Sequence, residues 1–408
     1  MISGKDTARL RELAKRQLEY ANSERNRRLY DDWKAHGDMN RQSRPMITIE
    51  AGTFNDEIIT PMLRCESQEA RRLEYLLISN TINFEHFKDD MIVRDYIPVD
   101  IAYEITPYGL PVERIESGSL GHHFVSRIFD LKEDFHKLSK SIIHKNLDAK
   151  RKYGDRIREI IGDILPVKES GACAVACLMQ NVVHIMDMQD MFIAMIDEPE
   201  LFHQMMRMLT DDYIEIYRKM EDDGIILPTN NDVWLSQGSL AFTNDLVDEG
   251  EQLKTSDIWV YMDAQETSGV SAEMYHEFVF PYYKEISERF GLLSYGCCES
   301  VSNVWENSVS KYENLRKVSI SPWCDEEYMG ERLQGRKVVY HRKPSPNLIG
   351  VERNLDENAA RKYIAKTIAA SRKAGKLEFS QRDVYTVHGD LRKVERYVQI
   401  IRKECEKR

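Results

Sequence analysis

The sequence predicts an α/β chain, a (β/α)8 TIM barrel with an N-terminal helical extension, on three observations. Short β-like runs alternate with helical ones through the second half of the chain, the signature of βαβ units in a parallel sheet. No glycine-rich phosphate fingerprint follows the first strand, which disfavours a doubly wound sheet. A length of 408 residues also accommodates a large barrel domain with an appendage.

The elements follow in order. Leu10, Leu13, Ala14, Leu18 and Ala21, then Leu29, Tyr30 and Trp33, fall at helical spacing among Arg and Glu over residues 6–34. This predicts a helical pair whose apolar stripe caps the barrel bottom or docks on a second subunit. Arg44-Pro45 stops the helix, and residues 46–50 read as the first strand, so residues 1–43 form the arm and residues 44–408 the barrel. Between 50 and 165 the pattern is less regular. A helix is predicted at 67–85, an extended segment at 97–105, a turn at Pro107-Tyr108-Gly109 and a charged helical region at 131–161. Met179, Met186, Met188, Met191, Met195, Met205, Met206 and Met208 lie mostly at helical spacing and read as core filler. Strands follow at 224–227, 257–262, 292–295, 317–321, 337–341 and 376–379. Helices at 271–289, 356–373 and 390–404 open on Ser271, Asp356 and Asp390 as N-caps.

Bulk properties exclude several classes. A net charge of −11 and a pI near 5.6 offer no basic face for nucleic acid or an anionic membrane. No run approaches the roughly 20 apolar residues of a membrane helix, and Met1-Ile2-Ser3-Gly4 lacks the apolar core of a secretion signal, so the expected location is the cytoplasm. Seven cysteines without framework spacing read as reduced thiols, with Cys65, Cys173, Cys177 and Cys405 as small buried residues or surface accidents.

In a (β/α)8 barrel the chemistry sits where strands end, and six successive predicted strands here end in polar groups. These ends are Thr229-Asn230-Asn231-Asp232, Gln265-Glu266, Gly296-Cys297-Cys298-Glu299, Trp323-Cys324-Asp325, His341-Arg342-Lys343, and Glu378 with Arg382-Asp383. Soft thiolates beside carboxylates suit zinc: Glu266 with Cys297 or Cys298 as ligands, Cys324 or Glu299 completing the set, and a position left open for water or substrate. Adjacent residues near a strand end point opposite ways, so one thiol faces the site. Read without chemistry, one cysteine is core, the other is a wall, and Glu266 pairs with Arg342 or Lys343. Asn230, Asn231, Gln265, Tyr295, Trp323 and His341 are the candidate substrate contacts, although polar loop residues are ordinary everywhere. His122-His123 and His388 are weaker candidates, and His276 falls inside an amphipathic helix.

These residues resemble the uroporphyrinogen decarboxylase superfamily, in its corrinoid-dependent methyltransferase-like branch. The resemblance rests on Arg44-Pro45-Met46, Asp257-Ile258-Trp259 running into Gln265-Glu266, Val270-Ser271 with Glu277-Phe278, Arg289-Phe290-Gly291-Leu292 before Tyr295–Glu299, residues 315–322, and Arg342-Lys343-Pro344. It implies a (β/α)8 barrel, often a homodimer. The decarboxylase proper carries an arginine-rich motif that grips a tetrapyrrole, whereas residues 45–53 here hold no arginine. The zinc methyltransferases carry His-x-Cys at a strand end and a later cysteine; Tyr295-Gly296-Cys297 occupies the first place and Ser380-Gln381-Arg382-Asp383 the second. The resemblance therefore implies methyl transfer from a small methylated or methoxylated donor to a corrinoid (cobalamin-carrying) partner protein, assisted by zinc. In that scheme Glu266 with Cys297 or Cys298 holds the metal, Glu299 or Glu378 is the acid, and Arg342 and Lys343 orient an anionic group. The alternative is a metal-independent carboxy-lyase acting on a smaller, non-standard acid.

Overall fold

The computed structural model describes residues 2–40, 42–116, 122–248, 250 and 252–407. Seven parallel strands form one rolled sheet, a half-barrel of the TIM type with helices on its outer face. We number the strands used below β1 (Met46–Ile49), β2 (Ile97–Asp100), β3 (Val167–Ser170), β4 (Ala174–Val175), β5 (Trp234–Ser236), β6 (Ser239–Leu240), β7 (Trp259–Met262), β8 (Leu292–Tyr295), β9 (Leu315–Ile320), β10 (Val339–Arg342) and β11 (Lys376–Gln381). The sheet runs β1-β11-β10-β9-β8-β7-β4, while β2 and β3 make a separate parallel pair and β5 and β6 an antiparallel hairpin. Two further short antiparallel pairs join 104–106 to 142–144 and 114–116 to 122–124.

An eight-stranded closure is not formed among the described strands, and the edge of β1 shows why. Ile47 N and Ile49 N donate to the carboxylates of Asp90 and Asp89, each at 2.8 Å, and Asp90 N returns a bond to Ile47 O. Side chains thus take the amides that a neighbouring strand would have paired. The hairpin lies against the inner face of the sheet. Leu235 and Ala241 pack with Trp259 and Leu292, and Gly238 O accepts from Thr48 Oγ1 at 2.6 Å. A Cβ at Gly238 would stand 2.7 Å from Ser380 Cβ, and its φ is +83°, so this approach requires glycine.

The helices Gly4–Ala21 and Glu24–Gly37 open on Ser3 and Ser23, which cap Asp6 N and Asn26 N. Trp33 and Leu29 of the second pack with Met46, Leu240 and Phe242, so the stripe lies under the N-terminal end of β1. His36 of the same helix enters a buried charge cluster. Glu378 Oε2 lies 3.0 Å from Lys317 Nζ and 3.4 Å from His36 Nε2, and Glu378 Oε1 lies 3.7 Å from His341 Nε2. Burial alone would raise the Glu378 carboxyl, but Lys317, His341 and His36 hold it well below the ordinary range.

Three expected elements differ. Residues 224–227 are not a strand: Gly224 has a φ of +64° after the long helix Pro199–Asp222, and Pro228 can give no ladder hydrogen bond. The helix at 271–289 is two, Ala272–Phe278 and Phe280–Ser287, because Pro281 has no N–H for the Glu277 carbonyl and Val279 between them leaves helical geometry with a φ of −120°. The region 131–161 holds a short helix, the strand Ile142–His144 and the helix Leu147–Ile161. Met179, Met191, Met195, Met205 and Met206 are buried core. No helix among the described residues is long and apolar enough to cross a membrane.

Lys317→Met alone strands a buried carboxylate, so it is expected to destabilise the fold by about 3–5 kcal/mol in urea unfolding, with Lys317→Met/Glu378→Leu losing much less. Equal losses in single and double variants would show the pair to be unimportant.

Candidate functional site

A cavity of about 870 Å3 opens beyond the C-terminal ends of β7 and β8, lined by Gln265, Glu266, Cys298, Glu299, Trp323 and residues 123–126 and 180–188 in part. Two strand ends build its acidic wall. After β7, Asp263 accepts from Tyr261 Oη at 2.5 Å, and the single turn Gln265–Thr267 carries Glu266. After β8, Gly296 turns the chain with a φ of +99°, and a Cβ there would meet Ser319 Cβ at 3.0 Å. The turn folds Glu299 back on its own loop. Its Oε2 accepts from Cys297 N at 2.7 Å, and its Oε1 from Ala264 N at 3.3 Å. One buried carboxyl thereby ties both strand ends together.

The electrostatics follow from burial and like charge. Glu299 is pushed up to about 7, by desolvation first and the nearby Asp263 second, against the Cys297 amide bond that opposes the shift. Glu266 is likewise pushed up to about 7 by desolvation and Asp263. Its Oε2 is buried without a hydrogen-bond partner among the described residues. Two carboxyls on one cavity wall therefore hold protons near neutrality, which is the condition for acid catalysis at that pH.

The vicinal thiols touch each other, but only Cys298 lines the cavity. Its Sγ donates to Asp383 Oδ2 at 3.3 Å. Cys297 Sγ turns inward, 3.1 Å from Gln237 Oε1, 3.2 Å from Arg382 Nη1 and 3.5 Å from Cys298 Sγ. The hydrogen bond between them keeps the Cys297 thiol protonated and lowers that of Cys298. Cys324 is buried, its sulfur 3.6 Å from Ser321 Oγ and 3.8 Å from Glu299 O.

The remaining sequence candidates are spread more widely. Gln265 and Trp323 line the cavity, Trp323 being 77% exposed at its rim. Lys343 is buried behind the thiol loop, donating to Gln237 Oε1, Gly296 O and Cys297 O at 3.0–3.2 Å. Arg342 points the other way. Alternation along β10 turns it to the helical layer, where Glu326 and Tyr363 accept from it at 2.9 and 2.5 Å. It therefore does not orient a substrate in this cavity. Tyr295 also faces outward, hydrogen-bonded to Tyr275. His341 donates or accepts at Ser380 Oγ, 2.7 Å away, with burial pushing it down to about 3. With Glu378 it belongs to the cluster beneath, and that ionised carboxylate is no acid for the cavity. Asn230 and Asn231 lie outside it too: Asn231 bonds Asp248, and Asn230 accepts from Thr243 N through its carbonyl.

Sequence reasoning passed over Asp263 and Gln237. Asp263 directly follows the Trp259–Met262 strand, so strand-end position alone could have flagged it. Gln237 sits at the tip of the β5–β6 hairpin with Ser236, Gln237 and Gly238 all at positive φ, a strained turn that delivers its amide between Lys343 and Cys297. His123 and His184 also line the cavity; the side chain of His122 lies outside the described residues.

The zinc expectation meets a plain obstacle. No group of three or more His, Cys, Asp or Glu side chains among the described residues is placed to hold a metal ion. Glu266 and Cys298 share the cavity, but Cys297 turns away and Cys324 is packed beneath the Glu299 backbone. The described residues as arranged do not form the expected zinc site.

No protein-family model matches the chain, and no curated protein matches it. Among solved structures it is similar to a methyltransferase from Methanosarcina mazei, with 10% identity and a TM-score of 0.49 over 93% of this chain and 98% of that one. It is also similar to a provisionally assigned vitamin-B12 independent methionine synthase from Listeria monocytogenes, at 11% identity and a TM-score of 0.31 over 60% and 66% of the chains. A GH18 chitinase from Flavobacterium johnsoniae gives 15% identity and a TM-score of 0.25 over 66% and 82%. Likenesses this distant assign no activity.

A carboxyl whose value rises from 4.5 to about 7 on folding leaves stability intact below 4.5 and removes it as pH climbs through 7. Wild type is therefore expected to lose on the order of 2 kcal/mol relative to Glu299→Gln between pH 5 and 8 in parallel unfolding titrations. Parallel curves would refute the buried proton.

Proposed function

We propose that this chain is a methyltransferase that takes a methyl group from a small methylated or methoxylated donor bound in the cavity. Glu266 carries this reading: it lines the cavity, its Oε2 makes no hydrogen bond among the described residues, and burial pushes its carboxyl up to about 7, so it can give a proton near neutral pH. As the bond between the methyl carbon and the donor heteroatom breaks, the carboxyl proton passes to that heteroatom. The methyl carbon bonds to the acceptor nucleophile, and solvent reprotonates the carboxylate. Protonating the leaving group lowers the barrier to methyl departure. Glu299 holds the two strand ends that set the Glu266 position, and Gln265 and Trp323 flank the donor.

The motifs that resemble the uroporphyrinogen decarboxylase superfamily support the corrinoid-linked form of this reaction. In that form a cobalamin-carrying protein docks at the cavity mouth as the acceptor, and the enzyme works as a homodimer. The two cations offered for a substrate carboxylate do not reach the cavity, which argues against the carboxy-lyase alternative: Arg342 is turned to the helices, and Lys343 is taken up by the oxygens of Gln237, Gly296 and Cys297.

The purified protein, offered methylated and methoxylated donors with a reduced corrinoid protein, is expected to change the cobalt absorbance. No change with any such donor, or release of carbon dioxide instead, would overturn the assignment. Turnover is expected to fall as pH rises above about 7, where Glu266 loses its proton. Glu266→Gln is expected to lower kcat by roughly 100-fold. Activity that holds steady to pH 9 in both would remove the acid.

A further inference from the structure

A second cavity, of about 330 Å3, opens where β1 ends and takes no part in the reading above. Its walls include Glu50, Asn55, Ser79, Asn80, Arg94 and Trp234. Asn55 Oδ1 and Ser79 Oγ are buried atoms without a hydrogen-bond partner among the described residues. Glu50 Oε2 stands 2.8 Å from Arg382 Nε as an ion pair but also makes no hydrogen bond. Unmet polar atoms are rare in folded interiors because each forfeits its hydration, and the two from Asn55 and Ser79 beside one cavity mark a place where a polar occupant is favoured.

The chemistry of the walls narrows that occupant. Glu50 is balanced by Arg382, and Arg94 and Asp232 carry opposite signs on the same lining, so no uncompensated charge calls for an ion. Asn55 Oδ1 accepts only, Ser79 Oγ both donates and accepts, and Asn80, whose amide donates to Gln17 Oε1 at 3.2 Å, shares the lining. Trp234 is 38% exposed, an indole wall left open to a ligand. Hydroxyls answer the polar atoms, and a ring's aliphatic face stacks on the indole. We propose that this cavity binds a neutral, cyclic, polyhydroxylated molecule of monosaccharide or cyclitol size. The site is one side chain from the thiols, because Arg382 also donates to Cys297 Sγ at 3.2 Å.

Calorimetric titration of the full-length protein with D-glucose and with myo-inositol tests this. Saturable binding of at least one is expected, weakened roughly fivefold or more by Trp234→Ala and by Asn55→Leu. Ser79→Ala, the smallest change, serves should either of those fold poorly. No binding of either probe, or affinity unaltered in the variants, would overturn the proposal and leave water as the only occupant. Because binding is read directly, failure here leaves the methyl-transfer reading standing.

Discussion

The cavity depends on one buried carboxyl. Glu299 accepts a backbone amide from its own loop and another from the loop after β7, so the ends of β7 and β8 are held as a unit. Backbone donors favour its charged form, whereas burial and Asp263 favour the proton. The balance falls near neutral pH. Had Glu299 been exposed, both strand ends would lose their tie, and its own carboxyl would be an ordinary, ionised one of no use as an acid.

A different economy governs the other end of the strands. There Glu378 is surrounded by Lys317, His341 and His36, so the carboxylate stays ionised and joins the N-terminal helices to the sheet. Carboxyl groups of similar burial are thus driven in opposite directions by their neighbours, one set towards proton storage and one towards cohesion. The inserted hairpin separates the two layers. Lys317 Nζ donates to Ser239 Oγ and Leu240 O below, while Gln237 reaches Lys343 and Cys297 above.

Much of this was legible in the sequence, for identifiable reasons. Leu292–Tyr295 stands out because an apolar run stops at a glycine, and the structure forms that strand with the same bounds. Ser271, Asp356 and Asp390 each cap a helix as their spacing to the following apolar residues indicates. Arg342 was misplaced although β10 alternation could have separated it from Lys343, since only one of two adjacent residues can face inward. Barrel closure was not legible, because Asp89 and Asp90 satisfy the edge of β1 through side chains that carry no strand periodicity. Nor was Gln237, whose role comes from a hairpin tip reaching partners 60 and 106 residues away in the chain.

The most direct measurement of the central claim is an isotope-edited carboxyl titration by infrared or carbon NMR, with Glu266→Gln and Glu299→Gln assigning the signals. Two glutamates titrating as a pair near 7, each variant removing one, is the result this account requires. Both ionising near the ordinary value of 4.5 would contradict it, since a cavity wall already charged at neutral pH has no proton to give.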